Sequence, residues 1–284
     1  MGRLRRALER WLVSEELAER ARLLPRRDIG ELGVDPFGFD PEVLPVVAGP
    51  VAWLYRRYFR VLAFGVEHVP ADGRVLLVAN HSGQLPFDGL MIGAAMVLDR
   101  TPPRMVRSMV ERWVPQLPWI STLFARTGQI VGTPENCRRL LERDEAILVF
   151  PEGVRGIAKT FARRYQLQRF GSGFARLALA TQTPVVPVGV VGAEEQAPAL
   201  ANLERVARAL RMPAFPITPT FPALGPAGLL PLPTRYRIYF GPPLQLTGGA
   251  EADEAQIRSE VERVRLAVEG LVARGLSERT GIFS

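Results

Sequence analysis

The chain has 284 residues, 47% apolar and 23% charged, a globular balance that excludes wholesale disorder and collagen-like or coiled-coil architecture. Its net charge of +7 points to anionic partners such as nucleic acid, phosphorylated substrates or anionic lipid. The single Cys137 excludes an internal disulfide framework, and two histidines, His68 and His81, are too few for a His-rich metal centre.

Residues 2–24 read as a helix, because Leu4, Leu8, Trp11 and Leu12 recur on one side with Arg3, Arg5, Arg6 and Arg10 between them. Such a helix either lies on an anionic membrane or packs on the main domain. Its charge throughout is unlike a secretory signal. Residues 25–50 are rich in Pro and Gly, so residues 1–50 are expected to form an extension and residues 51–284 the α/β domain. Val51–Arg60 interleaves aromatics and arginines, which suits an amphipathic helix at a lipid interface better than a nucleic-acid surface, with a core or packing segment an equal alternative.

From residue 74 strand-like and helix-like segments alternate. Strands are predicted at Val75–Ala79, Met105–Ser108, Gln129–Val131, Ala146–Phe150, Val185–Val191 and Tyr236–Phe240. Helices are predicted at 87–98, 111–125, from Thr133-Pro134 to near Arg143, at 171–182 and at 252–274. The Val185–Val191 run is typical of a strand buried on both faces. This order predicts an α/β fold: a largely parallel mixed sheet flanked by helices, with an N-terminal helical extension. The uncharged run Met212–Thr234 is long enough to span a membrane but holds seven prolines, which a spanning helix cannot accommodate.

Several catalytic patterns are missing. Only Ser14 precedes either histidine and no G-x-S-x-G occurs, so a hydrolase triad in the order Ser, acid, His is not expected. No phosphate-binding G-x-x-x-x-G-K-[ST] loop is present, and Gly171-Ser172-Gly173 is too short for a dinucleotide fingerprint. A single lysine, Lys159, stands among 36 lysines and arginines, a skew set aside as codon usage.

Two loops stand at predicted strand ends, where ligand and catalytic groups gather in open α/β sheets. The first, Asn80-His81-Ser82, is followed by Asp88 at the start of a helix. A carboxylate there can accept the Nδ1 proton of His81, leaving Nε2 to take a proton from a substrate hydroxyl. His68, within Glu67-His68-Val69-Pro70, reads as structural. The second loop, Phe150-Pro151-Glu152-Gly153-Val154-Arg155-Gly156, combines a carboxylate, two glycines and an arginine suited to a polar or phosphorylated substrate.

Asn80-His81 with Asp88, Phe150-Pro-Glu-Gly-Val-Arg155 and Val185-Val-Pro-Val-Gly189 resemble, in order, the blocks of the glycerolipid acyltransferase family, which includes the 1-acylglycerol-3-phosphate acyltransferases. The likeness covers roughly residues 55–245. It implies that His81, with Asp88, deprotonates an acceptor hydroxyl that attacks an acyl thioester. It also implies that Glu152, Gly153 and Arg155 bind the acceptor, often through a phosphate. Three features depart from the family pattern. Six residues separate His81 from Asp88 where four are usual, Val154 and Gly156 replace common hydroxyl residues, and Gly128–Pro134 lacks the arginine of the second block.

The resulting expectation is an O-acyltransferase moving a fatty acyl group from acyl-CoA or acyl-carrier protein to a glycerolipid hydroxyl such as that of lysophosphatidate. No metal and no organic cofactor is expected, nor a nucleic-acid partner. The expected location is cytoplasmic, peripheral on the inner face of the membrane. Three alternatives stand beside it: a neutral lipid alcohol as acceptor, a thioesterase using water, and a non-catalytic lipid- or nucleic-acid-binding protein.

Overall fold

A computed structural model describes residues 14–26, 28–82, 86–111, 119–209 and 215–284. The predicted Leu4, Leu8 and Trp11 face lies outside them. In chain order the body comprises α1 (Glu15–Leu23), α2 (Leu44–Trp53), β1 (Leu62–Phe64), β2 (Val75–Ala79), α3 (Phe87–Leu98), β3 (Val106–Val110), α4 (Ile120–Arg126), β4 (Ile130–Val131), α5 (Pro134–Glu142), β5 (Ala146–Val149), α6 (Val154–Ile157), α7 (Gly173–Thr181) and β6 (Val185–Val191). There follow β7 (Ala201–Asn202), α8 (Glu204–Ala209), β8 (Pro216–Ile217), β9 (Arg237–Phe240) and the long α9 (Glu254–Glu278).

Seven strands form one sheet in the order β1-β9-β6-β2-β5-β3-β4. Central β2 runs parallel to both neighbours, with Leu77 beside Leu148 on β5 and Val186 on β6. Within this sheet, among the described residues, the one antiparallel seam is between β6 and β9. The sheet is therefore largely parallel and mixed, as its apolar strands predict. All residues of β2 and β6 are buried, because helices cover both faces. Successive side chains alternate between the two cores. Val75, Leu77 and Ala79 join Tyr55, Phe59, Met91 and Ile92 on one side. Leu76 and Val78 join Leu140, Ile147, Phe174, Val264 and Val268 on the other.

Local signals place the helix starts. Thr133 Oγ1 accepts the Asn136 N–H at 3.1 Å, and Pro134 occupies the first helical position of α5. Asp253 caps α9 in the same way, accepting the Gln256 N–H at 2.7 Å.

The 51–60 segment takes the packing alternative over most of its length. It is the end of α2 followed by a π-helical turn at Leu54–Tyr58, and Tyr55 and Phe59 are buried in the core. Only Trp53 of its aromatics is exposed. The aromatic–arginine interleaving thus serves mostly core packing, with Phe59 against Tyr236 and Phe87. α2 also runs through residue 50, where the sequence places a domain boundary. The preceding loop is tied to the sheet by Asp35, whose Oδ2 lies 2.8 Å from buried Arg107 of β3. His68 is structural: its Nδ1 donates to the Phe240 carbonyl at 2.7 Å.

Candidate active site

β2, β5 and β6 are parallel neighbours, so the segments leaving their carboxyl ends meet along one edge of the sheet. Asn80, the first residue beyond β2, is fully buried. Its side chain donates to the Val190 carbonyl at 3.1 Å and accepts the Val190 N–H at 2.7 Å. This amide stitches the end of β2 to β6 and sets where the next residue emerges.

That residue is His81. Its Nδ1 lies 2.7 Å from Asp88 Oδ2. The carboxylate is buried in the first turn of α3 and also accepts the N–H groups of Ser82 at 2.9 Å and Gly89 at 2.7 Å. A carboxylate accepting from Nδ1–H leaves Nε2 as the unprotonated ring nitrogen. The imidazole stacks on Phe150 at a centroid distance of 4.2 Å and is 16% exposed, so it is braced yet reachable from solvent. The longer His81–Asp88 spacing therefore still brings the two groups together. Residues 83–85 of the intervening loop lie outside the described set.

The Glu-Gly-Val-Arg loop divides into distinct parts. Glu152, expected to touch the acceptor, is instead buried with both oxygens occupied. Oε1 accepts the His81 N–H at 2.8 Å and Oε2 accepts the Gln168 N–H at 2.7 Å. It joins the two candidate loops rather than facing outward. Gly153 has φ +57°, a left-handed backbone conformation that a β-carbon would strain. Arg155 is exposed and donates to the Arg169 carbonyl at 3.1 Å. Gly156 lies against the histidine, and a β-carbon there would sit 2.8 Å from His81 Cβ. The hydroxyl residue missing at this position would have no room.

Lys159 and Glu194 were not singled out by sequence reasoning as parts of the site. Lys159 Nζ lies 2.9 Å from Glu194 Oε1 and 3.5 Å from Glu152 Oε2, with all three side chains buried. Burial raises the pKa of the Glu194 carboxyl, against the lowering effect of Lys159. The one sequence signal for this cluster was the solitary lysine itself. Beyond it, Tyr165 donates to Glu195 and accepts the Gly192 N–H at 2.8 Å, while Arg279 holds the other Glu195 oxygen. These contacts fasten the segment after β6 to the end of α9.

Residues 60–191 match the Acyltransferase family. The chain is 39% identical over 276 residues to an uncharacterized protein of Mycobacterium leprae, covering 95% of this chain and 75% of that one. A Bos taurus protein named as a DGAT1/2-independent enzyme synthesizing storage lipids is 22% identical over 208 residues, 73% of this chain and 58% of its own. Among solved structures, the 1-acyl-sn-glycerophosphate acyltransferase PlsC of Thermotoga maritima shares the fold. It has a TM-score of 0.52 at 16% identity, covering 93% of this chain and 88% of that one.

Proposed function

Because the chain belongs to the glycerolipid acyltransferase family, we propose that it moves a fatty acyl group from acyl-CoA or acyl-carrier protein to the hydroxyl of a glycerolipid acceptor such as lysophosphatidate, with His81 as general base. The observation that carries this reading is the 2.7 Å contact between His81 Nδ1 and buried Asp88, which leaves Nε2 free to accept a proton. As Nε2 takes the acceptor's hydroxyl proton, the oxygen attacks the thioester carbonyl. The tetrahedral intermediate then collapses, the C–S bond breaks, and the imidazolium returns its proton to the departing thiolate. The products are an ester and a free thiol. Asp88 holds the ring's tautomer and stabilises the transient imidazolium. Thiol release from oleoyl-CoA, with the ester product resolved by mass, tests the reading. Hydrolysis that an added acceptor neither raises nor diverts into ester would instead make the protein a thioesterase.

We assign the acceptor phosphate to Arg155, a reading supported by its exposure next to Gly156, which packs on His81. Arg155→Ala is expected to raise the KM for lysophosphatidate by roughly 10–150-fold, the worth of a charged hydrogen bond of about 1.5–3 kcal/mol. Little change in kcat is expected, because this binding is common to ground and transition states. Arg155→Lys restores only part, having charge without the planar fork. Steady-state kinetics with lysophosphatidate and with the matching monoacylglycerol check this. An equal effect on both acceptors removes the phosphate clamp and selects a neutral alcohol. That second reading is favoured by the likeness to a bovine enzyme named for storage-lipid synthesis.

The lipid substrate puts the site of action at a membrane surface, on our reading the inner, cytoplasmic face. Among the described residues no helix is long and apolar enough to cross a membrane. Trp53, Trp119, Ile120 and Leu123 are exposed apolar side chains suited to interfacial contact, and the sequence adds arginines at positions 3, 5, 6 and 10. On this reading binding is peripheral and partly electrostatic. Washing anionic vesicles with high salt or at alkaline pH is expected to release most of the bound protein. Retention through both treatments would overturn peripheral attachment.

A further inference from the structure

Lys159 is the chain's only lysine. Of the other buried cations among the described residues, Arg100 and Arg104 spread their guanidinium groups over main-chain carbonyls, and Arg107 divides its own between the Gly128 carbonyl and Asp35. Lys159 instead presents one nitrogen to two buried carboxylates, Glu194 at 2.9 Å and Glu152 at 3.5 Å. A compact ammonium suits that space, whereas a planar guanidinium needs room for its fork.

The consequence falls on Glu152. Its two oxygens each accept a main-chain N–H, one from His81 and one from Gln168. The ionised carboxylate accepts both bonds at full strength, whereas protonation gives one oxygen a hydrogen to place and weakens it as an acceptor. An ionised carboxylate this deeply buried needs a nearby countercharge. Lys159 is the cation in contact with it, and Glu194 is the other carboxylate drawing on the same ammonium. Glu194 also accepts a main-chain hydrogen bond from Tyr165, and burial favours its neutral form, which weakens its claim on the cation.

We propose that Lys159 is a positioning residue that keeps Glu152 charged and so holds the His81 main chain, with its imidazole, in the geometry for acyl transfer. This inference rests on His81 being the base. Among the described residues, the charged or titratable groups around the path are Glu152 and Glu194 at Lys159, Asp88 at His81, Glu111 by Gly153, and the Tyr236 phenol near Asp88 with Tyr165 and Glu195 behind it.

The test compares wild type, Lys159→Met, Lys159→Met/Glu194→Gln and His81→Ala. The readout is thiol release from oleoyl-CoA with a monoacyl acceptor between pH 5.5 and 9, with melting temperatures alongside. In Lys159→Met, kcat at pH 7 is expected to fall about 10²-fold, the usual cost of a small misplacement at a reacting centre. Acceptor KM should stay within about threefold. The loss should shrink as pH rises, because only the charged carboxylate accepts both N–H groups at full strength. The acid limb of the kcat profile therefore moves upward. Removing the neighbouring carboxylate takes a like charge away from Glu152, so the double variant should regain about tenfold at pH 7, a recovery that a loss of packing alone would not give.

A Lys159→Met enzyme with the wild-type profile overturns the proposal. So does a loss that is equal at every pH and unaffected by Glu194→Gln. Should Lys159→Met fail to fold, the double variant decides alone: wild-type kcat with an unmoved acid limb overturns the proposal, and a reduced kcat that rises with pH upholds it. An active His81→Ala enzyme would instead defeat the general-base reading on which the inference stands.

Discussion

Replacing His81 with alanine is expected to lower acyl transfer by about 10²–10⁴-fold, the usual contribution of a positioned general base. At about 1.36 kcal/mol per tenfold, that is roughly 3–5 kcal/mol of transition-state stabilisation. The fold should survive, because the imidazole stacks on Phe150 at the sheet edge and is partly exposed rather than filling the core. Asp88→Asn should lower kcat with little change in acceptor KM. Asp88 Oδ2 accepts from both His81 Nδ1 and the Ser82 N–H, and an amide cannot supply an acceptor there and the second acceptor oxygen as well. Its NH₂ group would turn the ring toward the tautomer with Nε2 protonated, which is no base. His68→Ala is the control. It loses a hydrogen bond to the Phe240 carbonyl, worth about 1 kcal/mol of stability, and should leave kcat unchanged. The measurement is initial thiol release under saturating substrates, with circular dichroism to check folding. More than a tenth of wild-type turnover in His81→Ala would falsify the assignment.

Arg107→Met is expected to be the most destabilising of the substitutions considered, by about 3–5 kcal/mol, because it strands a buried carboxylate. Arg107 is 2% exposed; it pairs with Asp35 at 2.8 Å and donates to the Gly128 carbonyl at 3.1 Å. Phe37 and Phe39 lie against its guanidinium face. The melting temperature should fall by about 6–20 °C, given roughly 2–4 °C per kcal/mol for a large domain. Arg107→Met/Asp35→Asn should recover about half of that loss. Asp35 Oδ1 already accepts the N–H groups of Phe37 and Phe39, a task that an asparagine oxygen can keep. The charge facing position 107 is then gone. Thermal melts of the two variants, with acyl transfer measured well below the transition, separate stability from chemistry. A double variant no more stable than the single one would show that the arginine acts through packing rather than through the ion pair.

Much of this was legible along the chain, because the determining signals were local. The continuous apolar runs at Val75–Ala79 and Val185–Val191 announced strands covered on both faces, and these are the central strands. Thr133-Pro134 announced a helix start through cap chemistry that needs only three following residues. His81, Asp88 and the Glu-Gly-Val-Arg loop could be singled out because active residues in such sheets follow strand ends, and their motifs are short and contiguous. Tertiary structure alone decided which groups face the substrate and which hold the others in place. Glu152 has the residue type of a binding group, yet its carboxylate is turned inward by the N–H groups of His81 and Gln168, 71 and 16 residues away in sequence. Tyr55 and Phe59 have the pattern of interfacial aromatics but are claimed by the core. Lys159 looked like a codon accident until Glu152 and Glu194 met around it. In each case the deciding quantity is burial against a partner distant in sequence. Residue type and spacing encode local hydrogen bonding and periodicity, whereas desolvation is set only when the strands that carry those partners are paired.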